Sequence, residues 1–388
     1  MIQNILVTGS QGFIGKNLCL GITRAYPDVK LLHFTNEHSL DDLNDLVGRS
    51  DLIFHLAGAN RPLNTKDFYD VNAGLTESLC EALLVSKKKI PIVFTSTTQA
   101  SEDNDYGKSK LSAEKYLGAF SDKNNSKVFI YRLNNIFGKW CKPNYNSVVA
   151  TFCHNIIRGL DIKINDPEGK LNLTYIDDVV NEFIGLIKNQ SDVKNPIYLS
   201  NHYSTTVGAL AFDINAIKEG RKNHYVEDVG IGYKRALYAT YLSYLEPSEF
   251  ISTLKSNHDE RGNFVEMIKT EKSGQVSFFS AHPGITRGAH FHHTKNEKFL
   301  VISGKAKFRF KNMSNEEYYE FDVESNNPQI VESIPGWAHD ITNTGDSDLL
   351  VMLWANEIYN QEKPDTFWED PHKWKKWKLL LLLEQDLK

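Results

Sequence analysis

The sequence has few cysteines, and their spacing excludes a disulfide framework or a thiolate metal site. Only four of its 388 residues are cysteine, none forms a C-x-x-C pair, and all lie within the first 153 residues: Cys19, Cys80, Cys141 and Cys153. The longest apolar run, Leu379–Leu383, is far shorter than the ~20 residues of a membrane span. The opening MIQNILVTG also lacks the basic and long apolar regions of a signal peptide. We therefore expect a soluble protein of the reducing cytoplasm with no transmembrane segment.

An excess of positive charge is also missing. The chain carries 44 Lys and Arg against 49 Asp and Glu, a formal net charge of -5, and so has no electrostatic footprint for nucleic acid. A small-molecule partner is favoured instead. The hydrophobic fraction of 41% is typical of globular proteins, and at about 150 residues per domain the length predicts two or three domains, with two as the working number.

The first half of the chain alternates β-rich apolar stretches with helical patterns. The strand-like stretches are NILVTG, VKLLHF, DLIFHLAG, IPIVFTS and KVFIYRLNNIFG, and a helical pattern begins at about Gly12. Strands that alternate with helices predict a parallel, doubly wound α/β sheet of the Rossmann-like kind.

After about Tyr241 the pattern changes to short strand-like pieces separated by turn residues. The pieces are GNFVEMIKT, GQVSFFSA, EKFLVIS, AKFRFK and DLLVMLWA, with no convincing helix between them. This pattern predicts an antiparallel sandwich or barrel. The segment SYLEPSEF interrupts both patterns, so we place the domain boundary there, with domains at 1–245 and 246–388.

A glycine-rich turn, TGSQGFIG, joins the first predicted strand to the first helix. Gly9 can form the tight turn, Gly12 lets the backbone approach a pyrophosphate, and Gly15 lets the helix pack closely on the sheet. The phosphates would then lie at the helix N-terminus. The turn therefore predicts a dinucleotide site.

The end of the second strand, HFTNE, bears on which dinucleotide binds. An acidic residue at Phe34 or Thr35 would accept a hydrogen bond from the ribose 2′-hydroxyl of NAD, and none is present. This absence favours NADP, although the turn also lacks the Arg or Lys that would bind a 2′-phosphate.

The stretch YGKSK places Tyr106 and Lys110 four residues apart, on one face of a helix. An ammonium near a phenol favours the ionised phenolate and makes it a better proton relay at neutral pH. The preceding FTSTTQA supplies a hydroxyl partner, with Thr97 preferred and Ser96 as the alternative. The pattern indicates a reductase site, although a Tyr–Lys pair on a surface would have the same spacing.

Six ordered stretches together resemble the extended short-chain dehydrogenase/reductase family. They are the glycine turn, DLIFHLAG at Asp51–Gly58, Asn72 in DVNAGLTES, the Thr97, Tyr106 and Lys110 set, RLNNIFG at Arg132–Gly138, and YIDDVV at Tyr175–Val180. The resemblance implies hydride transfer at C4 of a nucleotide-bound hexose. One departure concerns the sugar pocket, because only eight residues separate Thr97 from Tyr106, fewer than the family usually has.

The same resemblance implies which residues contact the cofactor. They are Gly9, Gln11, Gly12, Phe13, Ile14 and Gly15 of the turn, Thr35 after the second strand, Leu56, Ala57 and Gly58 after the third, and Tyr106 and Lys110.

A histidine-rich stretch in the second domain, GITRGAHFHHTKNEKFLVISG, has the spacing of a metal site. Alternation along a strand directs His290 and His292 to one face, Glu297 can return from the next strand, and His339 in PGWAHDITN can supply a fourth ligand. Imidazole and carboxylate ligands without thiolate suit one divalent ion of Zn, Fe, Mn or Ni, and zinc is our first candidate. His293 faces away on the same alternation.

The spacing G-x5-H-x-H-x4-E-x6-G resembles the first cupin motif, and PGWAHDITN resembles the second, with Pro335 directly before Gly336. An all-β jelly-roll barrel is therefore implied. Upstream, HDERGNFVE resembles the D-x-R-G-x-F-x-E signature of deoxysugar 3,5-epimerases, with Asp259, Arg261 and Glu266 in register.

A reductase fused to an epimerase-like cupin resembles the family of the capsular polysaccharide assembling protein CapF. The resemblance implies a homodimeric enzyme that inverts C3 of a UDP-4-keto-6-deoxy-N-acetylhexosamine and then reduces C4 with NADPH. The product would be UDP-2-acetamido-2,6-dideoxy-L-talose, on the route to UDP-N-acetyl-L-fucosamine for capsule or O-antigen polysaccharide. Epimerisation must come first, because the C4 ketone is what acidifies the C3 proton.

Two other functions are compatible with parts of the sequence. A redox-sensing regulator could keep the dinucleotide turn without chemistry, and a metal-binding cupin could serve only to stabilise or dimerise the chain. The tail KWKKWKLLLLL fits either a docked terminal helix or membrane contact.

Overall fold

A computed structural model of the chain describes residues 2–62, 64–191, 193–246, 249, 254–292, 295–313, 317–333, 337–362, 364–371 and 374. Two units are distinguished by their internal contacts. The first comprises Met1–Ala216 and Arg235–Leu245, and the second comprises Ile217–Lys234 and Glu246–Lys388. The segment Ile217–Lys234, which lies in the first of the two domains predicted from sequence, groups with the second unit.

A parallel sheet forms the centre of the first unit. Its strands are β1 (Asn4–Thr8), β2 (Lys30–Phe34), β3 (Leu52–His55), β4 (Ile92–Thr97) and β5 (Val128–Leu133), in the order β2-β1-β3-β4-β5. The inner strands β1, β3 and β4 are buried on both faces, as their place between two helix layers requires, and Leu6, Ile53 and Phe94 have no exposed surface. The predicted doubly wound sheet is confirmed.

Helices connect these strands. They are α1 (Phe13–Ala25), α2 (Leu40–Arg49), α3 (Thr65–Phe68), α4 (Leu75–Ser86) and α5 (Asp105–Asn124), with a π-helical segment at Tyr69–Gly74 and a 3-10 turn at Thr98–Ser101. Local sequence sets several of their starts. Ser39 and Asp42 form a capping box at α2, and the Asn104 side chain accepts a hydrogen bond from the Gly107 backbone at the start of α5.

A small second sheet follows β5. Its strands are β6 (Asn135–Phe137), β7 (Lys170–Tyr175) and β8 (Tyr203–Thr206), in the order β6-β7-β8. The helices of this region are α6 (Val148–Ile157), α7 (Ile176–Lys188), α8 (Val207–Lys222) and α9 (Gly232–Leu242). The division between the two units falls within α8.

The second unit is built mainly from antiparallel strands. They are β9 (Tyr225–Val226), β10 (Ser256–Asp259), β11 (Gly262–Thr270), β12 (Gly274–Ala281), β13 (Thr286–Phe291), β14 (Glu297–Ser303), β15 (Lys305–Asn312), β16 (Tyr318–Glu324), β17 (Ile330–Ser333), β18 (Trp337–Asn343), β19 (Leu349–Ala355) and β20 (Phe367–Trp368). One sheet has the order β10-β11-β12-β19-β14-β17, with β9 added parallel to β11, and the other has the order β16-β15-β18-β13-β20.

The two sheets of this unit share an apolar core. Alternate residues of their strands supply it, and Phe308, Leu349 and Val351 have no exposed surface. The period-2 pattern in the sequence thus corresponds to one buried face per strand, and the antiparallel sandwich or barrel is confirmed.

Some sequence predictions fall outside the described residues. These are His293, the Pro335-Gly336 turn and the C-terminal tail apart from Trp374. Trp374 is buried, and its ring lies 5.8 Å from the Arg309 guanidinium. Among the described residues, no helix is both long and apolar enough to cross a membrane.

Candidate functional site

The glycine turn lies between β1 and α1. Gly9 has φ +70° and donates its backbone N–H to the Phe34 carbonyl oxygen at 3.0 Å. A Cβ at Gly15 would lie 2.3 Å from the Gly9 oxygen, so only glycine allows α1 to approach the turn this closely. Gly12 caps α1 without a side chain, which leaves the first N–H groups of the helix open to an anion. The turn therefore fits the diphosphate of a dinucleotide.

The end of β3 continues this surface. The Leu56 backbone N–H donates to the Thr8 carbonyl at 3.2 Å, and the Ala57 N–H donates to Thr8 Oγ1 at 3.2 Å. A Cβ at Gly58 would lie 2.9 Å from Lys110 Nζ. Glycine at this position thus allows the β3 end to lie directly against the lysine of α5.

The remaining predicted cofactor contacts belong to the same edge of the sheet. Gln11 is exposed within the turn, and Phe13 and Ile14 are half-buried in the first turn of α1. Thr35 follows β2, and its backbone N–H donates to His38 Nδ1 at 3.2 Å.

Tyr106 and Lys110 lie on one face of α5, as their spacing requires. Lys110 is almost fully buried, and its Nζ donates to the Thr95 carbonyl oxygen at 3.0 Å. Burial lowers the pKa of this lysine to about 8, although the Glu114 carboxylate opposes the shift. Burial raises the pKa of the Tyr106 phenol, and a hydrogen bond with Thr97 partly offsets that shift. The phenol is therefore held protonated, ready to donate to an oxygen, and the lowering of its pKa that the sequence predicted from the Lys110 ammonium does not occur, because burial dominates.

The two candidate hydroxyls on β4 have different partners. Thr97 lies at the start of the 3-10 turn, where its Oγ1 accepts a hydrogen bond from the Gln99 backbone N–H at 3.2 Å. Its side chain also forms a hydrogen bond with the Tyr106 phenol that lowers the pKa of that phenol. Ser96 instead donates its hydroxyl to Glu114. Of the two, Thr97 is thus the one next to the phenol.

Sequence reasoning missed the ion pair behind this set. Glu114 is one turn beyond Lys110 on α5, at Tyr106 + 8, and accepts two hydrogen bonds from Arg132, at 2.9 Å from Nε and 2.7 Å from Nη2. Both side chains are largely buried, with exposed fractions of 9% and 12%. The signal available in the sequence was an acidic residue eight positions after Tyr106, one helix turn beyond Lys110.

The four predicted metal ligands converge in the second unit. His290 is on β13, His292 follows it, Glu297 begins β14 and His339 is on β18. Their ligand atoms all lie within 4.8 Å of one another. Glu297 Oε2 is 3.1 Å from His292 Nε2, 3.2 Å from His339 Nε2 and 4.0 Å from His290 Nε2.

The electrostatics of this cluster favour a cation. Burial raises the pKa of the Glu297 carboxyl, but contacts with three imidazoles outweigh burial and hold it well below its usual range. Burial lowers the pKa of His339, so this imidazole is neutral and its nitrogens can act as ligands. Three imidazoles and one carboxylate form a donor set that fits a divalent transition metal.

A bulge in β13 aligns a further residue with the cluster. Arg287 pairs with Ile341 and His290 pairs with His339, with a register shift between them and φ +61° at Ala289. The extra residue brings Arg287 to the same sheet face as His290, although the two are three apart in sequence.

Sequence reasoning also missed Arg287 as a site residue. Its side chain is 12% exposed, and its Nε and Nη2 have no hydrogen-bond partner within the described part of the chain. The nearest carboxylate, Asp259, is 3.7 Å away and already binds Arg261 through its side chain. Two guanidinium groups thus share one carboxylate, which leaves a net positive charge suited to an anionic ligand.

A cavity of about 250 Å³ opens beside Glu297. Its lining includes Phe264, Glu266, Lys295, Leu353 and Tyr359. Lys295 donates its Nζ to Thr366 Oγ1 at 2.9 Å, and Glu266 contacts Lys269 at 3.2 Å. The epimerase-like signature therefore contributes Phe264 and Glu266 to the cavity wall.

The sequence matches two protein families. Residues 5–199 match the NAD dependent epimerase/dehydratase family, and residues 257–367 match the polysaccharide biosynthesis C-terminal domain. Over 365 residues, 94% of this chain, it is 46% identical to a Pseudomonas aeruginosa protein named UDP-2-acetamido-2,6-beta-L-arabino-hexul-4-ose reductase, of which 98% is covered.

Solved structures extend the likeness to the whole fold. The crystal structure of capsular polysaccharide assembling protein CapF from Staphylococcus aureus superposes with a TM-score of 0.88 at 38% identity, covering 95% of this chain and 100% of that one. A structure of CapF with the inhibitor 3-isopropenyl-tropolone gives 0.83 at 35% identity, again covering 95% and 100%.

Proposed function

Because the chain belongs to the family of the capsular polysaccharide assembling protein CapF, we propose that it is a bifunctional nucleotide-sugar enzyme. Its cupin unit epimerises C3 of a UDP-4-keto-6-deoxy-N-acetylhexosamine, and its reductase unit then reduces the C4 ketone with NADPH. The product is UDP-2-acetamido-2,6-dideoxy-L-talose, on the route to UDP-N-acetyl-L-fucosamine. The carrying observation is that one chain holds both the Tyr106–Lys110 face and the His290, His292, Glu297 and His339 cluster.

In the reductase unit, Tyr106 donates a proton to the C4 oxygen. Thr97 orients the phenol, and Lys110 holds the nicotinamide ribose and stabilises the phenolate that remains. The nicotinamide cofactor, when bound, supplies the hydride. The open N–H groups at the start of α1 support its diphosphate, as the cap at Gly12 suggests.

In the cupin unit, Arg287 stabilises negative charge on the substrate. Its guanidinium, whose Nε and Nη2 have no hydrogen-bond partner among the described residues, lies on the same sheet face as His290. A divalent ion held by the four ligands, zinc being our first candidate, would act as a Lewis acid. We assign the substrate to the cavity beside Glu297, because this ligand of the cluster lines it.

Product analysis and isotope exchange test the proposal directly. The full-length protein is incubated with the UDP-4-keto sugar and NADPH, and the product is identified by NMR. In heavy water without NADPH, we expect deuterium to enter C3, because enolate formation needs no hydride. A chain that oxidises NADPH with this substrate but never exchanges C3 would contradict the epimerase half and leave the cupin a structural module.

Two variants separate the halves. Tyr106→Phe should lose most of the reduction rate and keep C3 exchange. His290→Ala/His339→Ala should lose C3 exchange but still reduce a substrate whose C3 is already inverted. Tyr116→Phe is the matched control, since this exposed tyrosine lies on the same helix. Wild-type reduction by Tyr106→Phe would overturn the assignment of the proton donor.

The homodimer and the cytoplasmic location stay predictions. Light scattering coupled to gel filtration checks the first, and cell fractionation checks the second.

A further inference from the structure

The choice between NADP and NAD is left open by the turn after β2. That turn has neither an acid at Phe34 or Thr35 to accept a ribose hydroxyl nor an Arg or Lys to bind a phosphate. A cation for a 2′-phosphate must therefore come from another element if the chain uses NADPH.

A groove in the first unit joins the glycine turn to the end of β2. Its lining includes Ser10 and Gln11 of the turn, Thr35 and His38 after β2, and Lys16 of α1. Lys16 directly follows Gly15, so it lies on the helix whose N-terminus faces the phosphates. The groove thus brings a lysine next to the place where the turn after β2 lacks one.

Hydrogen bonding fixes the tautomer of His38. The Thr35 backbone N–H donates to His38 Nδ1 at 3.2 Å, so Nδ1 is the acceptor and carries no proton. Nε2 must then carry the proton in the neutral ring, which makes it a donor. A ring nitrogen that donates is suited to a phosphate oxygen, which accepts hydrogen bonds.

Lys16 is exposed, and its ammonium has no ion-pair partner among the residues that the structure describes. Its backbone N–H donates to the Gly12 carbonyl at 2.9 Å, which places the residue in the first turn of α1. An ammonium that lines the groove beside a phosphate-binding turn can bind a second anion.

We infer that Lys16 and His38 bind the 2′-phosphate of NADP(H) and so set the cofactor preference of this chain. The inference rests on the proposed use of a nicotinamide cofactor. Glu37 lines the same groove and offers the competing role, because its carboxylate could accept the 2′-hydroxyl of NAD. The two roles make opposite predictions for Glu37.

Binding of adenosine fragments to the full-length protein tests this without any turnover. Calorimetric titration with 2′,5′-ADP and with 5′-AMP isolates the 2′-phosphate. We expect the wild type to bind 2′,5′-ADP more tightly, and Lys16→Gln to weaken that ligand by about tenfold while leaving 5′-AMP unchanged, as loss of one charged hydrogen bond implies. His38→Phe should act in the same direction. Lys30→Gln, an exposed lysine on β2, is the matched control and should change neither.

Glu37→Gln separates the two cofactor roles. If Lys16 and His38 bind the 2′-phosphate, removal of the Glu37 carboxylate should tighten 2′,5′-ADP binding, because a negative charge near the phosphate is lost. The preference of the wild type for 2′,5′-ADP over 5′-AMP should also decrease as the salt concentration rises. Weaker 5′-AMP and NADH binding by Glu37→Gln, or unchanged 2′,5′-ADP binding by Lys16→Gln, would overturn the inference.

Failure of the inference is distinguishable from failure of the proposed function. If both fragments bind equally and the variants are silent, the chain still holds a nicotinamide cofactor and only the phosphate assignment is wrong. If neither fragment nor either cofactor binds the folded wild type, both the inference and the proposed reductase are wrong.

Discussion

Replacing Glu114 with glutamine removes the carboxylate that Arg132 and Ser96 share behind the proposed reductase site. The perturbation changes charge and hardly changes shape. Because the pair is about nine-tenths buried, loss of one partner leaves the other charge poorly solvated, a change that costs about 3–5 kcal/mol in buried pairs. Arg132 Nη1 keeps its hydrogen bonds to Ser101 at 3.0 Å and Tyr198 at 3.4 Å, so we expect a loss near the lower end, about 3 kcal/mol.

The loss is large enough to measure as a melting temperature. A unit of this size loses roughly 2–4 °C per kcal/mol, so the transition of the first unit should fall by about 6–12 °C. Calorimetry of the full-length protein checks this. The double variant Glu114→Gln/Arg132→Met is the control, because it removes both charges and should recover part of the loss.

The same substitution should move the pH dependence of reduction. Lys110 has a pKa lowered by burial to about 8, and Glu114 opposes that lowering. Without the carboxylate the pKa falls further, so Lys110 loses its proton at lower pH. Reduction that needs the charged lysine should then decline at a lower pH in Glu114→Gln than in the wild type. An unchanged alkaline limb beside a lowered melting temperature would refute the electrostatic reasoning and leave Glu114 a structural residue.

Three further predictions follow from the same structure. Gly15→Ala should abolish dinucleotide binding, because its Cβ would lie 2.3 Å from a backbone oxygen of the turn, and titration with the dinucleotide checks this. Gly118→Ala, with nothing within 4 Å of its Cβ, should stabilise α5 by up to about 1 kcal/mol, which urea denaturation measures. Burial lowers the pKa of His55 to about 3, so below pH 6.5 the unfolded state binds a proton that the folded state does not, and urea denaturation should show about 1.6 kcal/mol less stability at pH 5 than at pH 6.5 from this group. Elemental analysis should find about one divalent ion per chain, and Glu297→Gln should lower both that content and the melting temperature of the second unit; equal content in both proteins would contradict the ligand assignment.

Much of the fold was predictable because its signals are local. Apolar residues alternate along β12, which buries one face, and are continuous along β3, which buries both faces. Each pattern is visible in the sequence because it depends only on the number of faces that the strand buries. The glycine turn was predictable for a similar reason, since Gly9 and Gly15 occupy positions where a Cβ would collide with the backbone. Tyr106 and Lys110 were paired by helix period alone.

Other parts of the sites depend on contacts between elements, and no local pattern reports those. The bulge at Ala289 aligns Arg287 with His290, whereas simple alternation would separate them. Likewise, the sequence preferred Thr97 but left Ser96 as an alternative, and only the fold gives the two hydroxyls different partners, Glu114 for Ser96 and the Tyr106 phenol for Thr97.

The sequence by itself determined the two architectures, the dinucleotide turn, the Tyr106–Lys110 face and the spacing of the metal ligands, because each rests on backbone period or on glycine at a fixed place. The tertiary structure decided which charges are left without partners. Arg287 lacks hydrogen-bond partners for Nε and Nη2 among the described residues, and Arg132 is neutralised by Glu114. The physical reason is that the residues able to neutralise a buried charge are distant from it in sequence. Only folding determines whether they come close enough to do so.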